Sequence, residues 1–239
     1  MKNWIAAIVM GLLALPGLAQ ASEGGANLRH MKVDYSKEAL SAGAKTFINN
    51  CTGCHSAKFY RLKGLVDDLG MSKDTIEKKL MYGTKDVNAH LTSAMTSQEG
   101  GKWFGAAPPD LSVDARARGS DWLYSYLLGF YRDDSSSTGW NNHVFPKVSM
   151  PNVLYHMTQN SPEYYSSVPQ PKHGKGEVEY PEVPKKLDTK VQNLVSFLTY
   201  MSDPSVLTRH AMGPWVLLFL VILGVLTYLV KKEYWRDIH

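Results

Sequence analysis

Along residues 36–51 the apolar positions Leu40, Ala44, Phe47, Ile48 and Cys51 recur at the three- and four-residue spacing of one helix face, behind Ser36 as an N-cap. The pattern predicts a helix over 36–50. A second stripe, Val191, Leu194, Val195, Leu198 and Met201, predicts a helix over 188–202, with Asp188 as its cap and Asp203-Pro204 as its stop. Gly43 lies inside the first helix, where glycine costs about 1 kcal/mol relative to alanine. Close packing against another element, with 188–202 as the candidate, would explain it. Shorter patterns predict a helix over 72–82, capped by Ser72 and ended by Gly83, and one over 120–131 with Leu123, Leu127 and Phe130 on a common face. By contrast, 133–187 carries Ser135-Ser136-Ser137, seven prolines and no sustained period. It reads as loop, long enough to be functional or to cover a ligand. No stretch carries a firm strand signal.

The two ends of the chain differ from this middle. Residues 1–21 have the form of a secretory signal peptide: Lys2 as the charged start, an apolar core from Trp4 to Leu18, and Ala19-Gln20-Ala21 as a small-residue cleavage site. The core is short and broken by Gly11, Pro16 and Gly17, which favours cleavage over retention as an anchor. Residues 211–230 form an uncharged run that, at about 1.5 Å per helical residue, spans roughly 30 Å, the hydrocarbon thickness of a bilayer. Lys231, Lys232 and Arg236 follow it, and Trp215, Tyr228, Tyr234 and Trp235 mark its interfaces. The excess of positive charge places the tail in the cytoplasm. The organisation expected is therefore a signal peptide (1–21), an exported periplasmic domain (22–210), a transmembrane helix (211–230) and a cytoplasmic tail (231–239). With Lys2 and the tail set aside, the 26 basic and 22 acidic residues become 22 and 20. That balance argues against a nucleic-acid binder.

The chemistry is concentrated in Cys51-Thr52-Gly53-Cys54-His55, which holds both cysteines of the chain. Two thiols three positions apart share one face of a helical turn, so each can add to a different vinyl group of one porphyrin. The histidine that follows is then placed to serve as the proximal iron ligand. A zinc site would need about four ligands, and no second Cys or His pair stands at the required spacing. A thioredoxin-type Cys-x-x-Cys would lie in a βαβ pattern, which neither flank shows. The motif thus predicts one covalent haem c on Cys51 and Cys54 with His55 as axial ligand, and leaves no cysteine for a disulfide.

An electron-transfer haem usually has a second axial ligand, most often a methionine sulfur, which favours ferrous iron and raises the potential. Met150, in the loop Lys147-Val148-Ser149-Met150-Pro151 that Pro151 would stiffen, competes on these grounds with Met95 and Met157. Met71, Met81 and Met201 belong to helices or their ends, and Met212 lies at the membrane. His90, His143 or His156 would instead make a bis-histidine haem.

Several blocks resemble one family. Cys51 to Ser56 with Tyr60-Arg61, Gly105-Ala106-Ala107-Pro108-Pro109-Asp110-Leu111-Ser112 with Arg116-Ala117-Arg118, Ser149-Met150-Pro151, and Phe197-Leu198 through Asp203-Pro204 to Arg209 are similar to the cytochrome c1 family, the haem subunit of the ubiquinol–cytochrome c oxidoreductase (cytochrome bc1) complex. The resemblance implies a mainly α fold, a cytochrome c-type haem domain with long loops plus one C-terminal transmembrane helix. It implies Met150 as sixth ligand, the carbonyl of Pro109 (or Pro108) as acceptor for His55, Arg118 (or Arg116) paired with a haem propionate, and Trp122 near the haem. It further implies one-electron transfer from a Rieske iron–sulfur protein to a c-type cytochrome, beside a cytochrome b subunit in a dimeric complex, with no bond made or broken. Mitochondrial members present an acidic surface to a basic cytochrome c, and the balanced charge here gives no such patch. An independent membrane-tethered cytochrome and a haem with an open, gas-binding position are the alternative readings.

Overall fold

The computed structural model describes residues 28–80, 86–171 and 180–236. The signal peptide reading (1–21), Met81, Gly83 and residues 237–239 lie outside them. In chain order the elements are α1 (Lys37–Asn50), β1 (Ala57–Arg61), α2 (Leu62–Asp67), α3 (Lys73–Leu80), β2 (His90–Leu91), α4 (Ser97–Phe104), α5 (Asp114–Arg118), α6 (Ser120–Leu128), β3 (Phe130–Arg132), β4 (Trp140–Asn142), α7 (Ser161–Ser167), α8 (Lys185–Ser202) and α9 (Val206–Tyr234). The fold is mainly helical, as the resemblance implied.

The crossing of α1 and α8 is the centre of the core. Ser36 caps α1 by accepting from the Ala39 amide at 3.3 Å. The expected stripe turns inward: Leu40, Ala44 and Phe47 are buried and meet Val191, Leu194, Val195 and Phe197 in one apolar cluster. At Gly43 a Cβ would stand 2.0 Å from the Asn193 carbonyl oxygen and 2.7 Å from Phe197 Cβ. Two backbones touch there, and only hydrogen fits. The segment before α1 straps the same core: the Arg29 amide donates to Ser125 Oγ at 2.7 Å and the Asp34 amide to Ser196 Oγ at 3.0 Å.

Four expectations need correction. The helix placed at 188–202 begins at Lys185, after Pro184, whose carbonyl accepts from the Leu187 and Asp188 amides. Asp188 is therefore not a cap; its carboxylate accepts from the Tyr124 hydroxyl and from Gln192 Nε2. The helix placed at 120–131 stops at Leu128, and Phe130–Arg132 form a strand. Phe130 satisfied the helical period, but buried Asn142 decides the end: its Nδ2 donates to the Tyr126 carbonyl at 2.7 Å, and its Oδ1 accepts from the Val144 and Phe145 amides. Strands are present in two antiparallel ribbons, β1 with β2 (Ala57 opposite Leu91) and β3 with β4 (Phe130, Tyr131 and Arg132 opposite Asn142, Asn141 and Trp140). They are too short for alternation to show. Finally, the 133–187 region is not all loop, since it holds β4, α7 and the start of α8.

α9 is a continuous helix of 29 residues, begun five residues before the apolar run and carrying Pro214 within it. It is long and apolar enough to cross a membrane, and its most apolar window buries nothing against the rest of the chain.

His143 ties the β3–β4 ribbon to the segments beyond it. Its Nε2 donates to the Pro169 carbonyl at 2.7 Å, and its ring lies 4.6 Å from that of Tyr131 and 5.3 Å from that of Tyr180. Burial lowers its pKa below the usual 6.5, against the raising effect of the Pro169 bond. The unfolded chain therefore binds the extra proton first, so the His143 contribution is intact above about pH 6.5 and is lost as the pH falls through the lower folded-state value. His143→Gln keeps an N–H for Pro169 and cannot titrate. Its thermal midpoint should fall less than that of the parent between pH 7 and pH 5, measured on the solubilised, haem-loaded protein.

Candidate haem site

The end of α1 runs directly into the cysteine motif as one further helical turn. The Cys51 amide donates to the Phe47 carbonyl at 2.8 Å, and the Cys54 and His55 amides donate to the Cys51 carbonyl at 3.1 and 2.8 Å. The Thr52 hydroxyl donates to the Ile48 carbonyl at 2.8 Å and closes the helix end. The two cysteines are not joined to each other. Burial pushes the Cys51 thiol up to about 12, with a further push from Cys54, and burial raises Cys54 as well.

The segment 108–112 is clamped against this turn. His55 Nδ1 lies 2.8 Å from the Pro109 carbonyl oxygen. A carbonyl only accepts, so Nδ1 carries the hydrogen and Nε2 keeps its lone pair. Burial lowers the pKa of His55, outweighing the Pro109 bond and the charges of Asp114 and Asp110, which favours the neutral ring. The Leu111 amide donates to the Ser56 carbonyl at 2.8 Å. Asp110 accepts from the Lys58 amide at 3.1 Å and from the Ser112 amide at 2.9 Å, while Ser112 Oγ accepts from the Phe59 amide at 3.0 Å. These bonds from Ser112 and Lys58 overcome the effect of burial and hold the Asp110 carboxyl below its ordinary value. On the other side, α4 lies so close to Pro108 that a Cβ at Gly100 would stand 2.3 Å from Pro108 Cδ. The cap of α4, Thr96 with Glu99, is a Thr-x-x-Glu capping box that the sequence displayed and the hydrophobic pattern alone passed over.

α5 and α6, with Phe130 after them, build a column. Arg118 lies over the Trp122 ring at 4.3 Å, Trp122 and Tyr126 stack 5.1 Å apart and 8° from parallel, and Phe130 meets Tyr126 edge-on at 5.2 Å. Arg118 Nε also donates to Asp114 Oδ1 at 3.2 Å. The Tyr126 hydroxyl reaches Met150 Sδ at 3.3 Å, and burial, ahead of the opposing charges of Asp114 and Arg118, raises its pKa and keeps it protonated.

One cavity of about 350 Å³ joins these parts. Cys51, Cys54, His55, Pro109, Arg118 and Met150 all line it, with Leu123 and Leu127 of α6 and Leu194 and Leu198 of α8 among its apolar walls. Arg116, Met95, Met157, His90, His143 and His156 do not line it. Between the two prolines, Pro109 takes the histidine bond, and Pro108 supports the wall. Tyr126, Asp114 and Asn142 were missed by sequence reasoning. Tyr126 sits four residues after Trp122 and four before Phe130, so a helical aromatic ladder was its only visible signal.

The residues suit a flat, largely apolar ring with charged edges: two thiols on one turn, a neutral imidazole with a lone pair, a thioether in the same cavity, and an arginine at the wall. They do not suit zinc, since no group of three or more His, Cys, Asp or Glu is gathered among the described residues. A helical domain with such a cavity, followed by a long apolar helix whose central window is fully exposed, fits a membrane-anchored c-type cytochrome.

The Cytochrome C1 family pattern matches residues 27–238. The chain is 41% identical over 239 residues to cytochrome c1 of Allochromatium vinosum, covering 95% of this chain and 96% of that one. It is likewise 41% identical over 235 residues, 97% of each chain, to the ammonia monooxygenase gamma subunit of Nitrosomonas europaea. At 24% identity, 98% of it matches 40% of cytochrome b/c1 of Bradyrhizobium diazoefficiens. The chain belongs to the cytochrome c1 family. Membership brings a c-type haem, a part in respiratory electron transport, and a place as the haem subunit of the bc1 complex with cytochrome b.

Proposed function

We propose that this chain carries single electrons from a Rieske iron–sulfur protein to a soluble or tethered c-type cytochrome within the bc1 complex, dimeric by analogy with the family, using one haem c bound through Cys51 and Cys54. The observation that carries the reading is the gathering of six residues from four separate parts of the chain around one cavity. When bound, the haem supplies a one-electron couple and leaves no bond chemistry for the protein. The protein holds the ring and biases that couple. His55 offers Nε2 as the proximal ligand because Pro109 holds the hydrogen on Nδ1. Met150, which lines the same cavity, would offer a soft, neutral sulfur as the second ligand. Arg118 spends only Nε on Asp114, so the four N–H groups of its two terminal nitrogens remain for a propionate. The positive charges after α9, together with the signal-peptide form of residues 1–21, support a cytoplasmic C-terminus and a haem domain in the periplasm.

The test is isolation of the complex from membranes under mild detergent. The chain is expected to copurify with a cytochrome b and a Rieske protein, and to keep its haem after complete denaturation. Cys51→Ser and Cys54→Ser should each leave one thioether and shift the absorption of the denatured haem. A chain that loses its haem on denaturation overturns the covalent assignment. A haem-bearing chain that purifies without either partner favours the independent tethered cytochrome.

A further inference from the structure

Met150 is presented from a loop, and a methionine side chain with three rotatable bonds does not by itself hold a sulfur in one orientation. The structure supplies a partner for that sulfur: the Tyr126 hydroxyl at 3.3 Å. A thioether has no hydrogen to give, so the phenol is the donor. We infer that Tyr126 is a positioning residue for the axial sulfur, which turns the Met150 thioether and raises the potential of the couple by drawing on its second lone pair. The inference rests on Met150 being the sixth ligand.

Three features make the hydroxyl a fixed donor. The Tyr126 ring is stacked against Trp122 at 8° from parallel and closed by the edge contact with Phe130, so it cannot swing within the column. Its backbone is held as well, since the Tyr126 carbonyl accepts from buried Asn142. The same asparagine accepts from the Val144 and Phe145 amides, and its neighbour Asn141 accepts through Oδ1 from the Lys147 amide at 2.8 Å. Lys147 adopts the left-handed conformation at φ 62°, and buried Val148 follows it just before Met150. One Asn141-Asn142 pair thus ties the helix bearing the donor to the loop bearing the acceptor.

The chemistry follows from the two lone pairs on sulfur. One is available to the iron, and the other receives the phenol hydrogen. A donor on the second pair withdraws density from the first. Ferric iron depends more on that density than ferrous iron does, so the donor favours the reduced state. Removing it should cut the ferrous-to-ferric ratio at a fixed ambient potential by roughly 2- to 10-fold, the range one net hydrogen bond supports. A tenfold change corresponds to about 59 mV for a one-electron couple.

The experiment is a potentiometric titration of the solubilised complex carrying Tyr126→Phe, and of a second protein with 3-fluorotyrosine incorporated at position 126. Phenylalanine keeps the ring column without the donor. The fluorinated phenol keeps shape and hydrogen bond with a more acidic hydrogen. The ratio should fall in the first and rise above the parent in the second. The far-red charge-transfer band of thioether bound to ferric iron should persist in both. Imidazole added to the ferric protein should displace the sulfur several-fold more readily in Tyr126→Phe. Parental ratios in both proteins, with the band intact, overturn the role of Tyr126. Absence of the band in the parent, with rapid carbon monoxide binding when reduced, instead removes Met150 as ligand and the inference with it.

Discussion

Met150→Leu is expected to leave the haem on its two thioethers while lowering the potential by on the order of 0.1–0.3 V, within the span of about 0.8 V that axial ligation commands. Leucine matches methionine in volume and lines the cavity with the same apolar surface, so the fold should tolerate it. What leaves is a soft, neutral donor that stabilises ferrous iron. The vacated position should also bind carbon monoxide rapidly in the reduced state, whereas the parent should exclude it. Quinol-dependent reduction of the acceptor cytochrome should stall, because the couple would lie below its electron donor. An unchanged potential and turnover in this variant would refute the sulfur ligand. Met95→Leu and Met157→Leu serve as controls, since neither side chain lines the cavity.

The second large effect is on folding, at Gly43→Ala. The added methyl would lie 2.0 Å from the Asn193 carbonyl oxygen, an atom of the α8 backbone that cannot rotate away. The variant gains about 1 kcal/mol of helix propensity. Forcing α1 and α8 apart along a crossing built on Phe47, Val195 and Phe197 should cost more, about 3 kcal/mol at the upper end of overpacking penalties. Because α1 ends in the cysteine turn and α8 lines the cavity with Leu194 and Leu198, the same shift should reduce haem incorporation. Thermal denaturation followed by circular dichroism, beside the haem-to-protein ratio, measures both. Gly101→Ala is the comparison: it lies in α4, a Cβ there meets nothing within 4 Å, and it should be neutral or slightly stabilising. Equal midpoints for the two variants would show that the crossing is looser than its geometry.

Local chemistry accounts for what could be read in advance. Cys51, Cys54 and His55 fall within five consecutive residues on one turn, and their chemistry depends on spacing that no distant part of the chain can alter. The cap of α1 by Ser36 and the apolar length of α9 belong to the same class, because each follows from side chains and periods within one element; of the crossing at Gly43 only the glycine within α1 was visible there. Errors arose where two elements share a decision. Phe130 continued a helical stripe, yet Asn142, fourteen residues after Leu128, took the carbonyl of Tyr126 and turned the chain into a ribbon. Asp188 had the chemistry of a cap, yet its Oδ1 serves Tyr124 and Gln192 while the helix begins at Lys185, behind Pro184.

The sequence by itself thus determined the cysteine turn, the main helices and the apolar C-terminal helix, since these rest on interactions between near neighbours and on the solvent preference of whole segments. Only the tertiary structure decided that Pro109, and not Pro108, orients His55; that Arg118, and not Arg116, reaches the cavity; and that Tyr126 meets the Met150 sulfur. Each of those choices lies between residues with the same chemistry a position or two apart in sequence, or joins positions dozens of residues apart. The packing of α1, α6 and α8 resolves them, by fixing which side chain points inward.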